Sequence, residues 1–120
     1  MNVFEAIKKR RSVRGYLQKA IPDKVLASVL EAGRLAPSAK NRQEWRFIVV
    51  KDPQLREKLV EAANGQSFVG QAPVVIVACG VDDGYLMPCG QSSVPIDLAI
   101  ALDHISLAAV EVGLGTCWIG

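Results

Sequence analysis

The sequence is short of several things, and each shortage removes a class of protein. Cysteine occurs only as Cys79, Cys89 and Cys117. An odd count with no C-x-x-C spacing supports neither a disulfide framework nor a zinc site, so the three read as buried or half-buried thiols in a reducing compartment. The one histidine, His104, lies in an apolar stretch and is expected to be a hydrogen-bonded structural residue. No Ser-His-Asp set and no carboxylate pair stands out. Aromatic residues are 6% of the chain and the net charge is only +2, which argues against a nucleic-acid binder. The longest stretch without a charge or an amide, residues 72–81, is far too short to cross a bilayer as a helix. Neither a phosphate-binding P-loop nor a G-x-G-x-x-G turn after a strand is present. The N-terminal MNVFEAIKKRR carries its charge after its apolar residues, the reverse of a secretory leader, so a cytoplasmic protein is expected.

What is present suits a folded domain. Half of the 120 residues are hydrophobic and 22% are charged, richer in apolar residues than disordered chains. The length fits one domain, and no repeat, low-complexity segment or linker divides it. The charge is uneven. Residues 1–46 hold 11 Lys/Arg against 4 Asp/Glu, and residues 47–120 hold 3 against 8. A basic first third points to an anionic ligand.

Asn2 with Glu5 forms a capping box for a first helix that ends near Arg10 or Arg11, with Val3, Phe4 and Ile7 on its apolar face. Ile21-Pro22-Asp23 opens a second helix, striped by Val25, Leu26, Val29 and Leu30, which Pro37 stops. Trp45 to Lys51 reads as a strand covered on both faces. Asp52-Pro53 starts a helix that Asn64-Gly65 ends. Pro73 to Cys79 is a β-branched run expected as a buried strand. Residues 80–94 form a long loop. Ile96 to Val112 is a helix apolar on nearly every side, expected to be buried in the domain centre or at a subunit interface. Its polar members Asp97, His104 and Glu111 recur every seven residues. A last strand is expected over Thr116 to Ile119. The order α-α-β-α-β-α-β predicts a layered α+β or α/β domain with a central helix.

Three segments carry chemistry. Lys8 to Arg14 is a basic run. Arg10 and Arg11 offer planar forks to phosphate oxygens, Ser12 adds a hydroxyl, and Arg14 points the same way as Ser12 in extended chain. A solvated basic face is the plainer alternative. Ala36 to Gln43 could be an ordinary helix-ending loop, but it is dense in donors and acceptors, and Asn41 can pair with a heteroaromatic edge. Gly113 to Gly120 is a glycine-rich turn that could let backbone N–H groups approach a flat ligand.

Taken together, RRSVRGY at 10–16, APSAKNRQEW at 36–45 and AAVEVGLGTCWIG at 108–120 resemble the FMN-dependent nitroreductase family over essentially the whole chain. The resemblance implies an α+β layered fold: a central, mainly antiparallel sheet flanked by helices, with a buried central helix. It implies one FMN-binding domain over residues 1–120 and a homodimer with two flavin sites at its interface. It nominates Arg10, Arg11, Ser12 and Arg14 for the FMN phosphate and ring. Pro37, Ser38, Ala39 and Asn41 would reach the partner subunit's flavin. Trp118, Ile119 and Gly120 would run along the flavin's reactive edge. Gln66, with Asn64 behind it, would touch the ring. Members continue past the position of Gly120 with a further helix and a strand that crosses to the other subunit, so this chain is expected to lack that part and flavin retention becomes a question for experiment.

The activity so implied is ping-pong hydride transfer from NADH or NADPH through flavin N5 to a nitroaromatic, quinone or similar acceptor, with no catalytic acid or base and no metal. Arg14 would stabilise charge developing on the flavin. The alternative is a non-catalytic flavin-binding module or remnant. No nucleic acid or membrane partner is expected.

Overall fold

The computed structural model describes residues 1–120. Helix α1 (Val3–Lys9) is started by the predicted capping box: Asn2 Oδ1 accepts the Glu5 N–H and Glu5 Oε2 accepts the Asn2 N–H, both at 2.9 Å. Helix α2 (Asp23–Arg34) follows Pro22. A single 3₁₀ turn at Ala39–Asn41 leads into strand β1 (Trp45–Val50). Helix α3 (Pro53–Ala62) has Asp52 as its cap and Pro in its first turn. It ends where Asn64 and Gly65 take positive φ. A one-turn helix α4 (Phe68–Gln71), strand β2 (Val75–Gly80) and the 18-residue helix α5 (Val94–Glu111) complete the order.

The sheet is antiparallel and two-stranded, pairing Trp45 with Gly80 through Val50 with Val75. Helix α5 lies between this sheet and α2. Val29, Ile105 and Ala109 form one buried cluster, with Phe47, Ile76, Leu102 and Leu114 against it. Ala36, Trp45 and Ala101 form a second, joined through Phe47. Burial of Val29 and Ile105 contributes about 1.5–3 kcal/mol each. The α2–α5 approach depends on Gly33, where a Cβ would come within 2.7 Å of the Ile105 side chain.

Three sequence expectations need correction. Cys79 and Cys89 are exposed, and only Cys117 is half-buried. Thr116 to Ile119 is not a strand; its one sheet-like contact is a parallel bridge between Ser12 and Thr116. Within one chain the α1 stripe of Val3, Phe4 and Ile7 is exposed, and α1 seats on α5 through the small Ala6. Strand β1 is covered on one face only in part, with Ile48 54% exposed, and β2 is half-buried because no third strand or second layer lies beyond it. Within one chain helix α5 keeps a wet side, the side that a subunit interface would cover. Asp97, Ala101, Ile105 and Ala109 are buried at four-residue spacing, whereas Ile96, Asp103 and Glu111 are exposed. Helical drift over each heptad takes the Asp97, His104, Glu111 stripe from buried, through half-buried, to exposed.

Candidate functional site

The first chemistry-bearing segment and the third are brought together. Beyond α1 the chain runs extended, and the Val13 N–H donates to the Thr116 carbonyl at 2.8 Å beside the Ser12–Thr116 bridge. Two glycines make this seam possible. Gly113 takes φ +82°, turning the chain off the end of α5. Gly115 packs its bare Cα against Val13, where a Cβ would sit 2.9–3.0 Å from three Val13 carbons. The freedom of Gly115 therefore serves chain–chain packing. Tyr16 closes the seam by donating its hydroxyl to the Val13 carbonyl. Burial, then the neighbouring Cys117 thiol, raises the Tyr16 pKa, with Arg14 opposing.

The cations of this segment are uncommitted. Arg10 is half-buried, and Arg11, Ser12 and Arg14 are exposed. The chain's three ion pairs are Arg34–Glu31, Arg42–Asp83 and Lys51–Asp23, so Arg10, Arg11 and Arg14 all lack a carboxylate partner. Trp118 (51% exposed), Ile119 (38%) and Gly120 follow the seam directly. Arg14 lies over the Phe68 ring at 5.9 Å, and Gln18 donates to the Gln71 carbonyl at 2.8 Å. These contacts draw α4 alongside, and with it Gln66, whose side-chain amide donates to the Ala63 carbonyl at 2.9 Å. Asn64 stands at the left-handed turn just before. Sequence reading missed α4 and Phe68 because a single helical turn has no periodicity to find.

The second segment is held elsewhere. The Ala39 N–H donates to both Asp97 carboxylate oxygens at 3.2 Å, which ties the loop to the first turn of α5. The Gln43 N–H donates to Ser38 Oγ at 3.0 Å. Lys40, Asn41 and Gln43, none of them glycine, all take φ of 50–53°. Such left-handed residues persist where surrounding contacts over-determine them, and they cluster at ligand-binding sites. Pro37 and Asn41 are exposed; Ser38 and Ala39 are half-buried. A clasp closes the outer side: Arg42 pairs with Asp83 and lies 4.5 Å from the centre of the Tyr85 ring, with Lys40 at 4.7 Å from the same ring.

The two groups do not meet within one chain. One is anchored at the N-terminal end of α5, the other follows its C-terminal end, and 18 helical residues span about 27 Å. No hydrogen bond, ion pair or bridge links them.

Beneath the second segment lies a feature the sequence did not signal. Glu44 is 5% exposed, and both its carboxylate oxygens are buried without a partner. Burial raises its pKa first, and the neighbouring, equally buried Asp97 carboxyl adds to this. The two carboxyls stand 53 positions apart in sequence, so only the fold pairs them. His104 is half-buried on α5.

The nitroreductase family model matches residues 7–73. This chain belongs to the nitroreductase family. A nitroreductase family protein from Clostridium novyi superposes with TM-score 0.90 at 34% identity, over all of this chain and 70% of that one. A Thermus thermophilus NADH dehydrogenase is 51% identical over 58% of this chain and 34% of its own length. An FMN reductase [NAD(P)H] from Bacillus subtilis is 32% identical over 98% of this chain and 53% of its own length. The chain spans less than two thirds of the length of these curated relatives. No helix in it is long and apolar enough to cross a membrane.

Proposed function

We propose that residues 1–120 form the flavin-binding part of an FMN-dependent NAD(P)H oxidoreductase. The observation that carries the reading is the Ser12–Thr116 seam, which sets unpaired Arg10, Arg11 and Arg14 beside the Gly113–Gly120 run. That donor set fits FMN: guanidinium forks for a phosphate, and exposed backbone at Trp118 to Gly120 for a flat ring. FMN bound there would supply the redox chemistry, passing electrons from NADH or NADPH to a nitroaromatic, quinone or similar acceptor. Arg10, Arg11 and Ser12 would hold the phosphate. Arg14, 5.9 Å from the centre of the Phe68 ring, would set positive charge beside the flavin ring. Gln66 would touch the ring, Trp118, Ile119 and Gly120 would flank its reactive edge, and no side chain would be needed to move a proton.

The separation of the two groups along α5 supports a homodimer in which Pro37, Ser38, Ala39 and Asn41 complete the partner's site. The exposed Val3, Phe4 and Ile7 of α1, and Trp118 and Ile119, are apolar surface that a second copy would cover. Exposed, unpaired Cys79 and Cys89 suit the reducing cytoplasm.

An absorption spectrum before and after anaerobic NADH tests the reading. Flavin bands that bleach are the expected result. Bands that persist would support a non-catalytic flavin-binding module, and no bands after soaking in FMN would overturn the proposal. Arg14→Ala should weaken FMN binding about tenfold, or about 1.4 kcal/mol, or slow flavin reduction. Unchanged affinity and rates would remove Arg14 from its role.

A further inference from the structure

We propose that Glu44 and Asp97 share one proton, and that this acid–carboxylate pair positions the Ser38–Gln43 loop for ligand. The inference starts from the orphaned carboxyl. An ionised Glu44, 5% exposed with neither oxygen accepting a hydrogen bond, would be an uncompensated buried charge beside a second carboxylate. Two neighbouring carboxyls relieve this by holding one proton between them.

The geometry assigns the proton. Asp97 accepts the Ala39 N–H with both oxygens and stands in the first turn of α5, where the helix dipole favours negative charge. Glu44 has no such donors, so it carries the proton and donates to Asp97. The other charged group acting on Glu44 is Arg42 on its own loop, whose guanidinium is already paired with Asp83. Desolvation raises Glu44 further than Arg42 lowers it.

The consequence runs along the chain. The neutral acid holds the Asp97 carboxylate, Asp97 holds the Ala39 N–H, and Ala39 fixes a loop with three non-glycine residues in left-handed backbone. Glu44 is held in turn by the strand pair: its carbonyl accepts the N–H of Val81, the residue after β2, at 2.8 Å, and Trp45 next to it begins β1. Loss of the proton sets two negative charges against each other and loosens the hold on Ala39. Glu44 and Asp97 are positioning residues that touch no substrate. Their purpose rests on the flavin reading above; their pairing does not.

The test is amide hydrogen exchange at Ala39 in the full chain, without flavin, as protection relative to the unfolded rate across pH. In the parent protein, protection should fall at least about tenfold as pH rises through and above the ordinary carboxylate range. Glu44→Gln keeps an N–H donor to Asp97 and cannot ionise, so its protection should stay high and flat. Glu44→Ala and Asp97→Ala should lose protection at every pH. Parent and Glu44→Gln profiles that coincide would overturn the proposal. Infrared spectroscopy of the parent protein gives an arm that no unfolded variant can spoil. A neutral-carboxyl C=O band persisting where exposed carboxyls are ionised is expected, and its absence refutes the shared proton. FMN titration of Glu44→Gln is separate: failure to bind flavin with the exchange pattern intact would count against the flavin reading alone.

Discussion

The two chemistry-bearing regions of this chain present side chains in opposite ways. The seam of residues 10–16 and 113–120 is extended, mostly exposed and almost free of side-chain hydrogen bonds, with its guanidinium groups unpaired. The loop of residues 36–44 is strained, internally hydrogen-bonded and anchored on both sides, to Asp97 within and to Asp83 and Tyr85 without. The seam keeps its charges free, as a site for a mobile anion requires. The loop fixes its backbone, as a site offering donors at set positions to a rigid ring requires. Long-range attraction tolerates imprecise placement better than hydrogen bonds do, which fall off steeply with angle.

The largest effect should come from breaking the seam. Gly115→Val sets branched carbon where Val13 already lies, and overpacking of this kind costs about 1–3 kcal/mol. Thermal unfolding should show a lowered Tm, and FMN retention should be lost with it. Gly115→Val with parental Tm and flavin content would mean that Val13 moves aside freely and that the seam is not what seats the basic segment. Next is the clasp of the loop. Arg42→Ala removes the Asp83 pair and the contact with Tyr85, a partly exposed arrangement whose contribution solvent screening keeps small. Its expected signature is faster exchange of residues 40–43 with little change in global Tm.

Legibility in the sequence followed the range of the interactions. Caps are local, so Asn2–Glu5, Asp52-Pro53 and Asn64-Gly65 were readable and stand where they were placed. Strands β1 and β2 were readable from their β-branched runs, as was helix α5, although it starts two residues before the expected Ile96. Residues 116–119 misled because a β-branched, aromatic stretch signals strand propensity, and a strand needs a partner that local sequence does not name. The grouping of Arg10–Arg14 with Trp118–Gly120 came from resemblance, and the carboxyl pair came from neither source. Glu44 sits among polar loop residues and Asp97 on an apolar helix, and nothing in their spacing relates them.

The smallest effect sharpens the comparison most, because the two anchors of the loop should respond to pH with opposite sign. Asp83 on the outer side accepts the Tyr85 N–H and pairs with Arg42, and both contacts lower its pKa. Its contribution is present above the ordinary aspartate range and is lost as pH falls through the depressed value. Screening by solvent keeps that contribution small. Glu44 on the inner side is raised by burial, so the native state holds a proton that the unfolded chain releases. Stability tied to it is present below the ordinary glutamate range and is lost as pH rises toward the raised value. Loop protection should therefore pass through a maximum in mildly acid solution. Asp83→Asn should flatten the acid limb only, and Glu44→Gln the alkaline limb only. The free seam, with no paired carboxylate, should show neither limb. Exchange at Val13, whose N–H is held by the Thr116 carbonyl, reads that difference in the same experiment, and a matching maximum there would mean that the pH response belongs to the whole fold and not to the loop.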